Sequence, residues 1–304
     1  MIVVCGEALI DMIQNGDGTQ RAAPGGGPFN TARALARLDV PTAFVGHLST
    51  DAFGRELAGL LEVDGVTLRF VSEGPEPTTI AVADVDSNGL AEYQFLIQGT
   101  SAPNLTTDMI PDQFDADITA LHLGTLGFVL EPMADTLVKL VERESGKRLV
   151  MVDPNVRLGL GDDEQYRERL HHVMRQSTVV KASDADLAWA YRGLDYEQAA
   201  ARILDDGVRV VVVTLGAEGA FAAHRDFRVR VPAPQVQVVD TIGAGDAFGA
   251  ALLAWLHDHD CLRPDPELDE AHLKSALDFA CLAASITCTR KGADPPHKWE
   301  MPRV

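Results

Sequence analysis

The sequence has few basic residues, and this shortage excludes two classes of partner. Its 304 residues include 26 lysines and arginines against 45 aspartates and glutamates, which gives a formal net charge of −19. Because a chain with this charge repels phosphate-rich surfaces, we predict that it binds neither nucleic acid nor an anionic membrane.

Long hydrophobic runs are also missing. No apolar stretch approaches the roughly 18 residues of a membrane-spanning helix, and Glu7 and Asp11 interrupt the apolar N-terminus. No basic segment precedes that apolar run, as it would in a signal peptide. We therefore expect neither a membrane span nor a signal peptide.

Cysteine is scarce, and the cysteines that occur lack the spacing of metal ligands. They are Cys5, Cys261, Cys281 and Cys288. Cys5 lies in an apolar run typical of a strand, and Cys281 in a run typical of a helix. We expect buried free thiols, which indicate a reducing compartment, and therefore predict a cytoplasmic protein.

The composition of the chain and the order of its apolar runs are typical of a large α/β protein. Hydrophobic residues make up 46% of the chain and charged residues 23%, as in an ordinary globular protein. Short β-rich runs, such as 118–123, 149–152 and 209–213, alternate with helical segments. This alternation predicts a mostly parallel sheet covered by helices, with functional side chains at the carboxyl ends of the strands.

A glycine turn followed by a helix is the most informative stretch. The β-rich run 236–239 predicts a strand, Gly243 and Gly245 predict a tight turn, and a helix of small apolar residues follows. Unpaired N–H groups at the helix start would form an anion site. We expect the helix end to hold Asp246 ionised, so that it can remove a hydroxyl proton as a phosphoryl group arrives. Since the chain lacks a P-loop motif, this turn is the predicted phosphate cradle.

Two other interpretations of this stretch remain open on the residues alone. Asp246 could be an acidic residue of a first helical turn with no further role. Alternatively, Gly243, Gly245 and Gly249 loosely imitate a dinucleotide-binding fingerprint. Two features count against that fingerprint: the first glycine does not directly follow the predicted strand, and residues 250–304 are too few for the rest of such a domain.

A second glycine segment lies near the N-terminus. The run 25–27 would let a ligand approach the backbone, and Asn30 offers both a donor and an acceptor in the first turn of a predicted helix. Asp11 follows the continuation of the first predicted strand, where its carboxylate could accept hydrogen bonds from a polyol. An ordinary loop and an ordinary turn aspartate are the alternative interpretations.

These motifs resemble those of the ribokinase-like (PfkB) sugar kinases, over residues 1 to about 296. The segment Asp240-Thr241-Ile242-Gly243-Ala244-Gly245-Asp246 resembles the family signature, which implies Asp246 as the catalytic base and Gly243, Ala244 and Gly245 as the anion hole. The run Gly26-Gly27-Pro28-Phe29-Asn30 resembles the fructokinase branch. The sugar-binding residues implied by the resemblance are Asp11, Gly26, Gly27 and Asn30.

Further segments support the resemblance. Asp153-Pro154-Asn155-Val156-Arg157 is similar to a segment of fructokinases and ketodeoxygluconate kinases, and it adds Arg157 as a substrate- or phosphate-binding residue. The tail 289–293 resembles a loop at the adenine and at a potassium site, which makes Asp240 a candidate monovalent-cation ligand. The implied ATP-binding residues are Lys181, Ser183, Asp186, Thr214, Gly216 and Gly219.

Within that set, Ser183 and Asp186 occupy the places of a family Asn-x-x-Glu segment that organises magnesium and phosphate. Both residue types differ here. An N-capping serine with a capping-box aspartate is the competing interpretation.

Two β-rich runs in the first third of the chain predict a lid. The runs 79–85 and 90–97 flank an Asn88-Gly89 turn, a strong hairpin signal. Together with 12–25, the segment 78–97 is interpreted as a small β excursion, and 1–11, 26–77 and 98–304 as the kinase domain. In the resembled family such strands form a lid that excludes water. A decorated edge hairpin is the alternative interpretation. If the lid forms, it is also a candidate surface for a homodimer.

The sequence thus predicts a ribokinase-like three-layer α/β/α fold with a mostly parallel sheet and a small β lid. The predicted activity is phosphorylation of a sugar, with fructose first, using ATP and Mg²⁺, and with K⁺ as a further candidate ion. A ketodeoxygluconate kinase, a ribokinase-type kinase, a catalytically silent nucleotide- or sugar-binding regulator and a nicotinamide oxidoreductase are the alternatives. The resemblance to fructokinases and ketodeoxygluconate kinases implies a tryptophan just after Arg157, whereas this sequence has Leu158-Gly159-Leu160 there.

Overall fold

A computed structural model describes residues 1–14, 20–85, 91–157, 159–160 and 163–302. The strands, in chain order, are β1 (Ile2–Cys5), β2 (Leu9–Gln14), β3 (Gln20–Gly25), β4 (Thr42–Ser49), β5 (Thr67–Gly74), β6 (Ile80–Val85), β7 (Ala91–Leu96), β8 (Ala120–Gly124), β9 (Leu149–Asp153), β10 (Val179–Ser183), β11 (Val210–Thr214), β12 (Ala220–His224) and β13 (Arg228–Val231). The α-helices are α1 (Gly27–Arg37), α2 (Ala52–Val63), α3 (Met133–Glu144), α4 (Asp163–Arg175), α5 (Asp184–Ala190), α6 (Tyr196–Asp205), α7 (Ala244–Asp258) and α8 (Glu270–Cys288).

Nine of these strands form the central sheet, in the order β13-β12-β11-β10-β9-β8-β1-β4-β5. The pairs β11–β12 and β12–β13 are antiparallel, whereas the strands from β11 to β5 pair in parallel. Parallel strands need crossover connections, and the helices between them supply these. The predicted mostly parallel α/β architecture is confirmed.

Two hydrophobic layers cover the two faces of this sheet. Along β1, Ile2 and Val4 join one buried cluster, whereas Val3 and Cys5 join the other, because successive strand residues point to opposite faces. Helices α1, α2, α7 and α8 pack on the first face, and α3 to α6 on the second. Burial on both faces explains why the central strands are continuous apolar runs rather than alternating ones.

A separate four-stranded sheet has the order β3-β2-β6-β7. It contains parts of both segments that the sequence assigns to a lid; the predicted Asn88-Gly89 turn lies outside the described residues. The division into kinase domain and lid stays a prediction. One expectation is wrong: Asp11 does not follow the first strand of the central sheet but lies within β2, opposite Ala23 of β3.

The predicted strand at 236–239 is also wrong. Val238 and Val239 are 59% and 61% exposed, and no ladder includes them. The N–H groups of Val239 and Asp240 donate instead to the carbonyl of Cys288, at 2.8 Å and 3.2 Å. Their backbone donors are thus satisfied by the end of α8, and the β propensity of the valines is overridden by this tertiary contact.

The helices and the cysteines of the structure bear on the expected absence of a membrane span and on the expected free thiols. Among the described residues, no helix combines the length and the apolar character that crossing a membrane requires. All cysteines are free; Cys5, Cys261 and Cys281 are buried and Cys288 is half-buried.

Candidate active site

The residues singled out by the sequence converge on one cavity of about 330 Å³. It lies where the parallel neighbours β11, β10, β9, β8 and β1 reach their carboxyl ends. The predicted residues that line it are Asp11, Gly26, Gly27, Asn30, Arg157, Lys181, Ser183, Asp186, Thr214, Gly243, Gly245 and Asp246. The lining also contains residues to which the sequence analysis gave no role in the site: Glu7, Leu9, Phe95, Thr125, Leu126, Asn155, Thr241 and Ile242.

Asp246 lies in the first turn of α7, at the wall of this cavity. Gly243 precedes the helix in the left-handed conformation, with φ of 76°, which a glycine adopts without steric cost. The Asn30 Nδ2 donates to Asp246 Oδ2 at 2.9 Å, so the two predicted motifs meet across a separation of 216 residues.

The pKa of Asp246 shifts in the direction opposite to the one that the helix end alone would produce. Burial raises the pKa of Asp246, and the opposing effects of the Asn30 hydrogen bond and of the Lys181 and Arg157 charges do not cancel it. The residue is only 8% exposed. Removal from water favours the neutral carboxyl group and therefore acts against the helix end, which favours the charged form.

The N–H groups of the glycine turn are not all free. Ala244 donates its N–H to the carbonyl of Thr241 at 3.2 Å. Among the described residues, the N–H groups of Gly243 and Gly245 have no hydrogen-bond partner in the structure. Together with the helix dipole, those two groups offer an anion a site next to Asp246.

Gly27 leaves open the space beside Asp246. A Cβ atom on this residue would lie 2.4 Å from Thr125 Oγ1 and 3.4 Å from both Asn155 Nδ2 and Asp246 Oδ1. A side chain here would therefore enter the centre of the site. The neighbouring Gly26 has φ of 105° and caps α1, a conformation that favours glycine.

Four carboxyl groups, one guanidinium and one ammonium line the cavity; they belong to Glu7, Asp11, Asp186, Asp246, Arg157 and Lys181. Burial raises the pKa of Glu7 to about 8 and that of Asp11 to about 6. The positive charge of Arg157 lowers both values, and the charge of Asp246 raises them. The sequence analysis did not assign Glu7, whose Oε1 accepts the Gly27 N–H at 3.2 Å. No local signal distinguishes it from another polar residue after a strand.

Thr125 and Asn155 form a further part of the wall. Both have positive φ, 53° and 39°, and Asn155 Nδ2 donates to Thr125 Oγ1 at 3.2 Å. Left-handed backbone in residues other than glycine is concentrated at functional sites. Asn155 belongs to a segment that the sequence analysis quoted, but nothing local identified Thr125.

Ser183 and Asp186 form the predicted capping box at the start of α5. Ser183 Oγ accepts the Asp186 N–H at 3.0 Å, and the Ser183 N–H donates to Asp186 Oδ2 at 2.9 Å. The other oxygen of Asp186 accepts the Val156 N–H at 2.8 Å. This carboxylate therefore also holds the segment that carries Arg157.

A second cavity, of about 400 Å³, adjoins the first, because Thr214, Thr241 and Gly245 line both. Most of its other lining residues are apolar or small. Predicted residues that line this cavity and not the first are Ala244, Gly216 and Gly219. The segment 233–236 and Val238 also line it, as do Cys281, Ala284 and Cys288 of α8.

Asp240 lies outside both linings and joins two segments of chain. Its Oδ1 accepts the Ile242 N–H at 3.1 Å, and its Oδ2 accepts the Gly292 N–H at 2.8 Å. It thus ties the glycine turn to the C-terminal loop. Across the part of the chain that the structure describes, no group of three or more His, Cys, Asp or Glu side chains could hold a metal ion.

Comparisons with known proteins agree with this geometry. The family model of the pfkB family carbohydrate kinases matches residues 1–300. A fructokinase of Rhizobium leguminosarum bv. trifolii is 40% identical over 285 residues, covering 91% of this chain and 87% of the relative.

Two solved structures are similar over nearly the whole chain. A fructokinase from Xylella fastidiosa with bound ATP has a TM-score of 0.88 and 25% identity, covering 99% of this chain and 94% of its own. A double mutant of the Vibrio cholerae O395 fructokinase, with fructose, ADP and a potassium ion bound, has a TM-score of 0.86 and 26% identity, covering 96% and 93%.

Proposed function

The chain belongs to the pfkB family of carbohydrate kinases, and from this premise we propose that it is a fructokinase, which transfers the γ-phosphoryl group of ATP to a hydroxyl of fructose. The observation that carries the proposal is the position of Asp246. Its carboxylate borders a polar cavity sized for a small sugar and stands next to N–H groups that suit an anion. The fructokinases that resemble the chain support fructose as the acceptor.

In this proposal, Asp246 accepts the proton of the attacking hydroxyl. Asn30 holds the carboxylate in place through its 2.9 Å hydrogen bond, which leaves the second oxygen free to face the sugar. The free N–H groups of Gly243 and Gly245 stabilise negative charge on the phosphoryl group during transfer. Glu7, Asp11 and Asn155 offer oxygen and amide groups to the other sugar hydroxyls.

ATP would lie across both cavities. The apolar second cavity suits an adenine ring, and the junction at Thr214, Thr241 and Gly245 brings the phosphates to the glycine turn. Mg²⁺ bound to ATP would neutralise phosphate charge. Asp240 is the proposed neighbour of a K⁺ ion, supported by the potassium in the Vibrio cholerae structure. The free cysteines support a cytoplasmic location.

The charges around Arg157 favour an uncharged sugar over a keto acid. Its guanidinium lies among Glu7, Asp11 and Asp246, which interact with it electrostatically. A substrate carboxylate entering this cavity would meet the carboxylates of Asp11 and Asp246 as well as the arginine, and their repulsion would offset much of the attraction that a lone arginine offers. The tryptophan missing after Arg157 does not alter this balance of charge.

A substrate panel tests the proposal. With ADP release as the measurement, we expect kcat/KM for fructose to exceed that for ribose and for 2-keto-3-deoxygluconate by about tenfold or more, a difference of ~1.4 kcal/mol in transition-state binding. Arg157→Ala should lower all activities without reversing the order. A tenfold preference for the keto acid that disappears in Arg157→Ala would show that the fructose assignment is wrong.

Phe95 tests the role of the small sheet. This side chain lines the first cavity, whereas its neighbour Leu96 is 56% exposed, because strand residues alternate between faces. If the sheet covers the sugar, Phe95→Ala should raise the sugar KM about tenfold and increase ATP hydrolysis relative to sugar phosphorylation. Leu96→Ala is the matched control and should leave both unchanged. An unchanged KM and coupling in Phe95→Ala would assign the sheet no role in closing the site.

A further inference from the structure

Arg37 joins the end of helix α1 to the C-terminal loop (289–296), which follows α8. It lies in the last turn of α1. Its Nη1 donates to Asp294 Oδ1 at 2.6 Å and to the carbonyl of Pro295 at 3.0 Å. Its Nε donates to Oδ1 of Asp64, the residue that caps the end of α2, at 2.9 Å. One guanidinium therefore connects three segments that are distant in the chain.

The same loop packs against the glycine turn of the active site. A Cβ atom on Gly243 would lie 2.6 Å from the Cβ atom of Ala293 and 2.9 Å from its Cα atom, so no space separates the loop from the turn. The Gly292 N–H group donates to Asp240 Oδ2 at 2.8 Å, which ties the loop to the segment that leads into the turn. The position of Gly243 therefore depends on where the loop lies.

Helix α1 contacts the other side of the site with its first turn. Asn30 Nδ2 donates to Asp246 Oδ2 at 2.9 Å, and Arg37 lies two turns further along the helix, a distance of about 10 Å. Both contacts belong to one regular helix, whose internal hydrogen bonds fix their separation. The start of α1 thus holds the carboxylate and its end holds the loop behind the glycine turn.

Arg33, one turn before Arg37, shows that the contact with the loop is separate from the ion pair with Asp64. Arg33 Nε donates to Asp64 Oδ2 at 2.6 Å, and both arginine side chains are 11% exposed. Within the described part of the chain, Arg37 is the one of the two that also bonds the loop. The Asp294 side chain is 49% exposed, and a pair with such an exposed partner adds at most about 1 kcal/mol to stability. The main consequence of this contact is therefore the position of the loop.

We propose that Arg37 is a positioning residue for phosphoryl transfer, which holds the C-terminal loop against Gly243 and so fixes the glycine turn relative to Asp246. The inference rests on the proposed function, in which N–H groups of the turn stabilise the phosphoryl charge. Arg37 lines neither cavity and acts only through the loop. Stabilisation of developing charge depends closely on the distance to the donors, so a shift of about 1 Å in the turn lowers kcat more than it changes the sugar KM.

Three variants remove the contact from its two sides. Arg37→Met should lower kcat about tenfold while the sugar KM changes less than about threefold, because Asn30 and the sugar cavity keep their positions. Asp294→Ala should lower kcat at least about threefold, with a Tm within a few degrees of the wild-type value because its side chain is half exposed. The double variant should have the kcat of Arg37→Met alone, because both substitutions remove one interaction.

Arg33→Met is the matched control. It loses a bond to the same Asp64 carboxylate from an equally buried side chain, so its Tm should fall about as much as that of Arg37→Met while its kcat stays at the wild-type value. ADP release is measured with the sugar that the wild type phosphorylates best, so a failure of the fructose assignment leaves the comparison intact.

Two results would overturn the proposal. If Arg33→Met and Arg37→Met lower kcat equally, the effect comes from the Asp64 ion pairs and not from the loop. If Asp294→Ala keeps the wild-type kcat, the contact between Arg37 and the loop has only a structural role. The second result decides the question even if Arg37→Met does not fold.

Discussion

Replacing Asp246 with asparagine is expected to lower kcat by about 10²–10⁴-fold, the usual contribution of a positioned general base. The amide has nearly the same shape as the carboxylate and can keep a hydrogen bond to Asn30, so the KM values for sugar and ATP should stay near those of the wild type. Steady-state kinetics with each substrate varied in turn provides the measurement.

The pH dependence gives a second measurement of the same role. The base acts in its deprotonated form, so wild-type kcat should fall as the pH falls through the pKa of Asp246. Since burial raises that pKa from its ordinary value of 3.8, this fall should begin at a higher pH than for an exposed aspartate. The residual kcat of Asp246→Asn should not show this fall at low pH.

Asp258 offers a matched control for this substitution. It lies at the other end of α7 and pairs with Lys298, away from the residues that line the first cavity. Asp258→Asn should retain wild-type turnover. An Asp246→Asn enzyme that keeps more than about a third of the wild-type kcat would not fit a general base, whose loss costs at least ~10²-fold.

Replacing Gly27 with alanine should lower kcat/KM for the sugar by about 100-fold or more. The added methyl group would lie 2.4 Å from Thr125 Oγ1, so either the threonine or the start of α1 must shift. A shift of about 1 Å among positioning residues is enough for a loss of this size. The effect should appear with the sugar varied, whereas ATP binding, measured by calorimetry, should remain.

The lower kcat/KM of Gly27→Ala should not result from a less stable fold. Gly27 is the first residue of α1 and its φ is not positive, so alanine fits its backbone conformation. Gly59→Ala is the matched control, because a Cβ atom at Gly59 in α2 would meet nothing within 4 Å. It should keep full activity and gain up to about 1 kcal/mol in the free energy of unfolding. Equal activities of the Gly27 and Gly59 variants would remove Gly27 from the proposed sugar site.

The structure also indicates why the two glycine motifs are the informative parts of the chain. Each consists of contiguous residues that set a turn and the first turn of a helix, and such local geometry follows from the residues themselves. The apolar runs that became β1, β9 and β11 are equally local, since burial on both faces of a parallel sheet requires a continuous apolar stretch. The family resemblance adds the order in which these pieces occur.

The long-range contacts of the site could not be predicted in the same way. Asn30 meets Asp246 across 216 residues, and Lys181 meets Asp153 from a neighbouring strand. Glu7 and Thr125 line the cavity only because the ends of β1 and β8 lie side by side in the central sheet. Neither residue differs in its local sequence from many polar residues that follow strands.

The sequence by itself therefore determined the fold class, the glycine turns and the candidate base of this carbohydrate kinase. Three features depend on the tertiary structure. Asp11 lies in the small sheet, the valines at 236–239 belong to no strand, and the pKa of Asp246 is raised and not lowered. The physical reason is common to all three. Pairing partners and exclusion of water are supplied by residues distant in the chain, and a local pattern carries no information about them.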